Sequence, residues 1–231
     1  MKDENQQAYQ AEARIEGMLD LLRESGIDPR PDAESHLIRL SKHIRHWNNM
    51  LNLVSRKDIG RLETYHFCDS ASLLPLLGIE SPARLLDVGG SNGLPGLVLA
   101  AISPHLRTHI CDSRRKYGGF LEAACGILEG EATYELSQVD SKDFLDEHRG
   151  GFDLIVARAV TRLRHLLKWC LPLLAPGGRL VAYKGSRCLE EVDQAQKYFW
   201  AHGGRHIVVA GSPWATRCNP LRLFTIAGTG K

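Results

Sequence analysis

Glycines 89, 90 and 93 sit in the stretch Asp87-Val88-Gly89-Gly90-Ser91-Asn92-Gly93-Leu94-Pro95-Gly96, directly after the apolar run at 83–86. Such a run reads as a buried strand that breaks into a tight turn and opens a helix. Glycine reaches positive φ without penalty and has no Cβ to block a ligand, while Pro95 presets φ for a helix start. This arrangement receives a nucleoside-bearing cofactor at the mouth of a βα unit. Asp112 follows about twenty residues on, at the end of the next apolar run, where a carboxylate can take both hydroxyls of a ribose. The alternative for Asp112 is to cap a helix beginning near Ser113.

The loop chemistry separates two cofactor classes. Dinucleotide sites use G-x-G-x-x-G so that pyrophosphate can approach the helix N-terminus, but the middle position here is Ser91 and Pro95 removes one amide. Asp87 would repel a pyrophosphate, whereas a sulfonium ligand with an α-ammonium group favours a carboxylate nearby. These details favour S-adenosylmethionine over a nicotinamide cofactor and make an NAD-dependent oxidoreductase the weaker alternative. Asp140, after the third strand, either meets an adenine amino group or is a plain loop carboxylate.

The acceptor is read from the residues after the fourth and fifth strands, Ala157-Arg158-Ala159-Val160 and Tyr183-Lys184-Gly185. The Asn or Asp followed by Pro-Pro and an aromatic that serves exocyclic base amines is missing there, and Asn219-Pro220 comes too late to replace it. No cysteine follows strand four to attack a pyrimidine C5. Two cations, Arg158 and Lys184, suit an acceptor that needs no general base, such as N7 of guanine, with Arg158 on O6 or a phosphate and Lys184 on the backbone. The alternative for Arg158 is an ion pair with Asp87 or Asp153.

These residues need a scaffold, and the pattern supplies one. Strands are predicted at 84–88, 107–111, 133–136, 153–157, 179–183, 205–209 and 222–227, with helices at 95–102, 114–128, 162–174 and 189–201. Alternation of this kind predicts an α/β, doubly wound, mostly parallel sheet, and the last two strands, joined without a helix, predict a C-terminal antiparallel hairpin. Upstream, the first thirty-five residues read as a helix with Ile15, Met18, Leu19 and Leu22 on one face and Gly26 as its stop. A second helix repeats Leu37, Leu40, Ile44, Trp47 and Leu51 at steps of three and four, and a third is predicted at 61–77. Trp47 belongs to this apolar stripe and is expected in the core. The opposite face carries His36, Arg39, Lys42, His43, Arg45 and His46, a solvated face or a surface for nucleic acid. The chain therefore divides into a helical part at 1–80 and a Rossmann-like domain at 81–231.

The 231 residues are 43% apolar and 24% charged, an ordinary globular composition. A net charge of +2 decides nothing about nucleic acid, because a basic surface can be confined to one face. No apolar run approaches the ~18 residues of a membrane span, and the N-terminus is polar where a signal peptide needs apolar residues, so the expected place is the cytoplasm, with no membrane partner. Cysteines 68, 111, 125, 170, 188 and 218 show no C-x-x-C spacing and read as buried thiols, with no metal expected.

Taken together, Trp47-Asn48, Asn52-Leu53, His66 with Asp69-Ser70, the loop from Asp87-Val88-Gly89 to Gly93-Leu94-Pro95-Gly96, Asp112-Ser113 with Lys116 and Phe120-Leu121, Arg158-Ala159 and Tyr183-Lys184-Gly185 carry a resemblance. The chain, from about residue 36 to 228, resembles the bacterial small-subunit ribosomal RNA guanine-N7 methyltransferases, first described as glucose-inhibited division protein B. The resemblance implies the class I S-adenosylmethionine-dependent methyltransferase fold and S-adenosyl-L-methionine as cofactor. It implies cofactor contacts from the loop at Asp87, Gly89, Gly90, Gly93 and Leu94 and from Asp112, Val139, Asp140 and Arg158. Arg158 and Lys184 would serve catalysis, and these two with His66 and Lys116 would lie near the RNA. The implied partner is small-subunit ribosomal RNA or the small ribosomal subunit. One departure stands out: the family usually reads Asp-Val-Gly-Thr/Ser-Gly-x-Gly, whereas Gly90 and Ser91 exchange those two residue types. A serine held at positive φ costs ~1 kcal/mol. That departure carries the alternative of a ribosome-binding or assembly protein that keeps the fold with weakened or lost catalysis.

Overall fold

The structure, a computed structural model, describes residues 2–214 and 223–229. Cys218, Asn219-Pro220 and the predicted strand start at Arg222 lie outside the described residues. The chain opens with α1 (Lys2–Glu24) and α2 (Ala33–Leu51) and passes through a broken helical segment to β1 (Ala83–Val88), α5 (Gly96–Ile102), β2 (Leu106–Cys111), α6 (Gly118–Ile127) and β3 (Ala132–Glu135). Next come α7 (Lys142–His148), β4 (Phe152–Arg158), α8 (Leu163–Cys170), β5 (Leu174–Lys184), α9 (Cys188–Ala201), β6 (Gly204–Gly211) and β7 (Leu223–Thr229).

The strands form one sheet in the order β3-β2-β1-β4-β5-β7-β6, with β1 to β5 parallel and β7 antiparallel to both β5 and β6. The doubly wound sheet and the terminal hairpin are those expected from the alternation of runs. Side chains alternate across the sheet as the pleat requires. Leu85, Leu154 and Val156 join the core that also holds Ile15, Met18, Leu22, Leu37, Leu40, Ile44, Leu97 and Phe120. Leu86, Val88, Ile155 and Ala157 join the core on the other face, with Phe144, Leu166 and Phe199. The N-terminal helices thus share one hydrophobic interior with α5, α6 and the sheet.

Two predicted helices differ, and one helix was not predicted. The helix predicted at 61–77 is instead a 3₁₀ turn (Ile59–Arg61), a π-helical turn (Leu62–Phe67), α3 (Cys68–Ala71) and α4 (Leu74–Leu77). Ser70 and Ser72 hydroxyls donate back to the His66 and Asp69 carbonyls, and Pro75 removes an amide, so no regular ladder forms. The helix predicted at 162–174 stops at Cys170, where Pro172 imposes a 3₁₀ turn and Leu174 already begins β5. Helix α7 was not predicted; its signal is Ser141, whose hydroxyl accepts the Phe144 amide as an N-cap.

Candidate active site

Register brings Val88, Cys111, Glu135, Ala157 and Ala182 to one level at the carboxyl edge of the sheet. The strand order reverses between β1 and β4, and ligands bind in such a crevice. There the glycine loop folds on its own backbone: the Gly89 amide donates to the Cys111 carbonyl at 2.8 Å, Ser91 to Gly89 at 2.8 Å and Gly93 to Gly90 at 2.7 Å. Gly89 and Gly93 take positive φ, at 69° and 72°. Ser91 is not among the positive-φ residues, so the exchanged Gly90-Ser91 pair carries no left-handed penalty.

A first cavity of about 610 Å³ opens over this loop, lined by Gly89, Ser91, Asn92, Asp112, Val139 and Asp140 among others. At its edge Asp112, 3% exposed, accepts the Arg114 amide and Nε on Oδ1, at 2.8 and 3.1 Å, and Arg114 Nη2 on Oδ2 at 2.9 Å. Cys111 also lines the cavity, but burial pushes its thiol up to about 12 and its Sγ donates to the Ser137 carbonyl at 3.2 Å, so it is no nucleophile.

Four of the expected cofactor residues do not line this cavity. Asp87 lies beneath the loop at 1% exposure, with Oδ2 accepting the Gly96 amide at 2.7 Å. It fastens the start of α5 to β1. Burial pushes its carboxyl up to about 7, against the opposing pull of the Gly96 amide and the Arg158 guanidinium. Gly90 sits where a Cβ would come within 2.9 Å of Ile110 and 3.0 Å of Asp87, and at Gly93 a Cβ would collide with Leu97. Leu94 is core, 2% exposed and joined by a cis peptide to Pro95, which stands at the N-cap and not inside the helix as expected.

A second cavity of about 720 Å³ adjoins the first, lined by His66, Arg162, Tyr183, Lys184 and Glu191 among others. Arg158, Ala159 and Val160 line both cavities and so form their common wall. Ala159 holds a φ of 57°, a conformation costly for a residue with a Cβ and typical of functional loops. The Arg158 side chain is 9% exposed. Its Nη1 donates to Asp69 Oδ2 at 3.3 Å and its Nη2 to His66 Nδ1 at 3.3 Å. Burial and the adjacent guanidinium hold the His66 imidazole down at about 4, which keeps it neutral and able to accept. The alternative reading of Arg158 as an ion-pair partner named Asp87 or Asp153, whereas the carboxylate it meets here is Asp69, a residue quoted in the motif without a role. Lys184 Nζ donates to the Thr161 carbonyl at 2.8 Å and to Glu191 Oε2 at 2.7 Å. Lys116 stands apart, exposed, lining neither cavity, with its ammonium 4.7 Å from the Tyr117 ring centre.

The basic face of α2 is partly consumed by structure. His36 is buried, His43 hydrogen-bonds the Phe120 carbonyl and stacks on its ring, and Arg45 pairs with buried Glu63. Trp47 packs against the core beside Phe120, as the stripe predicted. The five described cysteines are buried.

Residues 33–215 match the profile of the family described as GidB, rRNA small subunit methyltransferase G. The protein of that name from Symbiobacterium thermophilum is 33% identical over 186 residues, covering 78% of this chain and 76% of the relative. The one from Deinococcus radiodurans is 36% identical over 185 residues, covering 80% and 73%. Among solved structures, a SAM-dependent O-methyltransferase from Thermotoga maritima superposes with a TM-score of 0.53 over 82% of this chain and 71% of that one, at 16% identity, a likeness of fold alone. With a family profile over most of the chain and relatives above 30% identity, the chain belongs to the rRNA small subunit methyltransferase G family.

Proposed function

We propose that this protein methylates N7 of a guanine in small-subunit ribosomal RNA, using S-adenosyl-L-methionine held in the first cavity. The observation that carries the reading is the common wall of Arg158, Ala159 and Val160, which sets a nucleoside-sized cavity against a cationic one. A bound S-adenosylmethionine supplies an electrophilic methyl group on a sulfonium sulfur. The first cavity fits it: Asp112 offers a carboxylate for ribose hydroxyls, Val88, Val139 and Trp169 offer apolar surface for a purine, and Asp140 lies at the rim.

The second cavity is built to position and not to deprotonate. Its carboxylates are engaged, Glu191 with Lys184 and the Leu163 amide, Asp58 with Ser55 and Arg61. Guanine N7 carries a free lone pair, so no proton leaves on attack and orientation supplies most of the rate. Asp69 and His66 fix the Arg158 guanidinium, which is left to meet O6 or a phosphate of the RNA. Arg162 lines the cavity together with Lys184 and Arg158, whose pairs with Glu191 and Asp69 would be shared with an RNA phosphate.

The test is transfer of labelled methyl from S-adenosylmethionine to small subunits taken from cells lacking this protein, followed by digestion of the RNA to nucleosides. Label in 7-methylguanosine supports the reading. Label in another nucleoside would reassign the acceptor, and no label despite cofactor binding would favour the non-catalytic ribosome partner.

A further inference from the structure

At the β3 edge of the sheet, among residues that line neither of the two cavities, three metal-ligating side chains converge. His109 on β2 and His148 at the end of α7 each bring Nε2 to 3.0 Å from the same oxygen, Oε2 of Glu135 on β3. All three ligand atoms lie within 4.8 Å of one another. We propose that this trio binds one divalent ion of the zinc class, with water completing the coordination, and that the ion ties the strand before the loop at 136–141 to the far end of the helix after it.

The geometry needs little change to accept it. Zinc bonds of ~2.0–2.2 Å place neighbouring ligand atoms of a tetrahedron roughly 3.3 Å apart, close to the two N–O separations already present. Two imidazoles and one carboxylate make a donor set that suits zinc. A zinc-bound His109 carries its proton on Nδ1, and Nδ1 lies 2.9 Å from Thr133 Oγ1, which then accepts that proton's hydrogen bond and fixes the ring. The rings of Phe144 and Phe152, centred 4.3 and 5.6 Å from that of His148, form an apolar backing. The side chains of His109, Glu135 and His148 are 21%, 32% and 11% exposed, so an ion can reach them from solvent. Without metal the imidazoles hydrogen-bond Glu135, and the trio is therefore assembled before any ion arrives.

Position gives the site its consequence. Glu135 ends the strand before the loop and His148 ends the helix after it, while Ser137, Gln138, Val139 and Asp140 of that loop line the first cavity. An ion bridging Glu135 and His148 restrains the segment that lines the cavity. The sequence concealed the trio, because its members lie on three elements and no short motif joins them.

The test uses the full chain, stripped with a chelator and titrated with Zn²⁺ and with Co²⁺. Expected are one equivalent bound, a higher Tm, and a visible Co²⁺ spectrum of nitrogen and oxygen ligation without a thiolate charge-transfer band. His148→Gln and Glu135→Gln should each weaken binding by more than about tenfold. No uptake by the wild-type chain, a thiolate band, or binding by both variants as tight as that of the wild type would overturn the proposal. Should either variant fail to fold, the imidazole NMR signals of the wild-type protein decide. Zn²⁺ must shift those of His109 and His148, and unmoved signals overturn it equally.

Discussion

A carboxylate offers about four lone-pair positions, and Arg114 takes three of those on Asp112 through its amide, Nε and Nη2. Two ribose hydroxyls need two acceptors, so the guanidinium must yield when cofactor binds. Asp112 is buried but its Arg114 partner is half-exposed, so the pair is worth roughly 1 kcal/mol, and Arg114→Ala should bind S-adenosylhomocysteine roughly two- to fivefold more tightly by calorimetry. Weaker binding by the variant would mean that Arg114 holds the ligand instead. Beneath the loop, Asp87 is held at about 7 by burial while an unfolded chain titrates it near its ordinary value of 3.8. Between those values the folded state keeps a proton that the unfolded state has lost, so this group makes stability fall as pH rises from about 4 to 7. His66, held at about 4, acts in the opposite sense: its contribution is complete above about 6.5 and is lost as pH drops toward 4. Asp87→Asn should remove the first term and leave stability rising with pH over 4 to 6.5, measured by urea unfolding; an unchanged profile would contradict the assignment. The placement of Asp112 and Arg158 at the cavity walls was legible in the sequence because strand ends in this architecture line the crevice. The partners of Arg158 were not, because Asp69 lies in an irregular segment and meets it only in the folded chain. Asp153, named in the alternative reading of Arg158, accepts the Arg84 amide.

The element that organises the cofactor side is the β1–α5 turn. Gly96 packs against Asp87 so closely that a Cβ would lie 2.7 Å from Oδ2 and 2.8 Å from the Asp87 Cβ. Gly96→Ala should therefore destabilise the fold by ~1–3 kcal/mol, read as a lower denaturant midpoint. A neutral result would show that α5 can shift without loss. Strand positions could be read from apolar runs because buried parallel strands are nearly continuous in Val, Leu and Ile. The segment at 59–77 could not, because its apolar residues keep a helical spacing while Ser70, Ser72 and Pro75 compete with the ladder. Helix α7 is short, and its cap at Ser141 was the one local sign of it.

Over the whole molecule, the sequence spread its basic residues along α2, but folding turns His36, His43 and Arg45 toward neighbouring elements. Arg39, Lys42 and His46 remain exposed on that helix, and Arg158, Arg162 and Lys184 line the second cavity. If both groups meet phosphate, RNA affinity should fall at least about tenfold between ~50 and ~200 mM salt, and a flat response would remove α2 from the RNA surface. The central claim is that one wall joins a cofactor cavity to an acceptor cavity. The direct measurement compares Arg158→Ala and Asp112→Ala for S-adenosylhomocysteine affinity and for single-turnover methyl transfer to small subunits at saturating cofactor. The account predicts that Asp112→Ala loses chiefly cofactor affinity, whereas Arg158→Ala loses about a hundredfold or more in transfer rate with a smaller loss of affinity. Equal losses of affinity in both variants, with transfer by Arg158→Ala restored at saturation, would contradict it and confine Arg158 to the cofactor side.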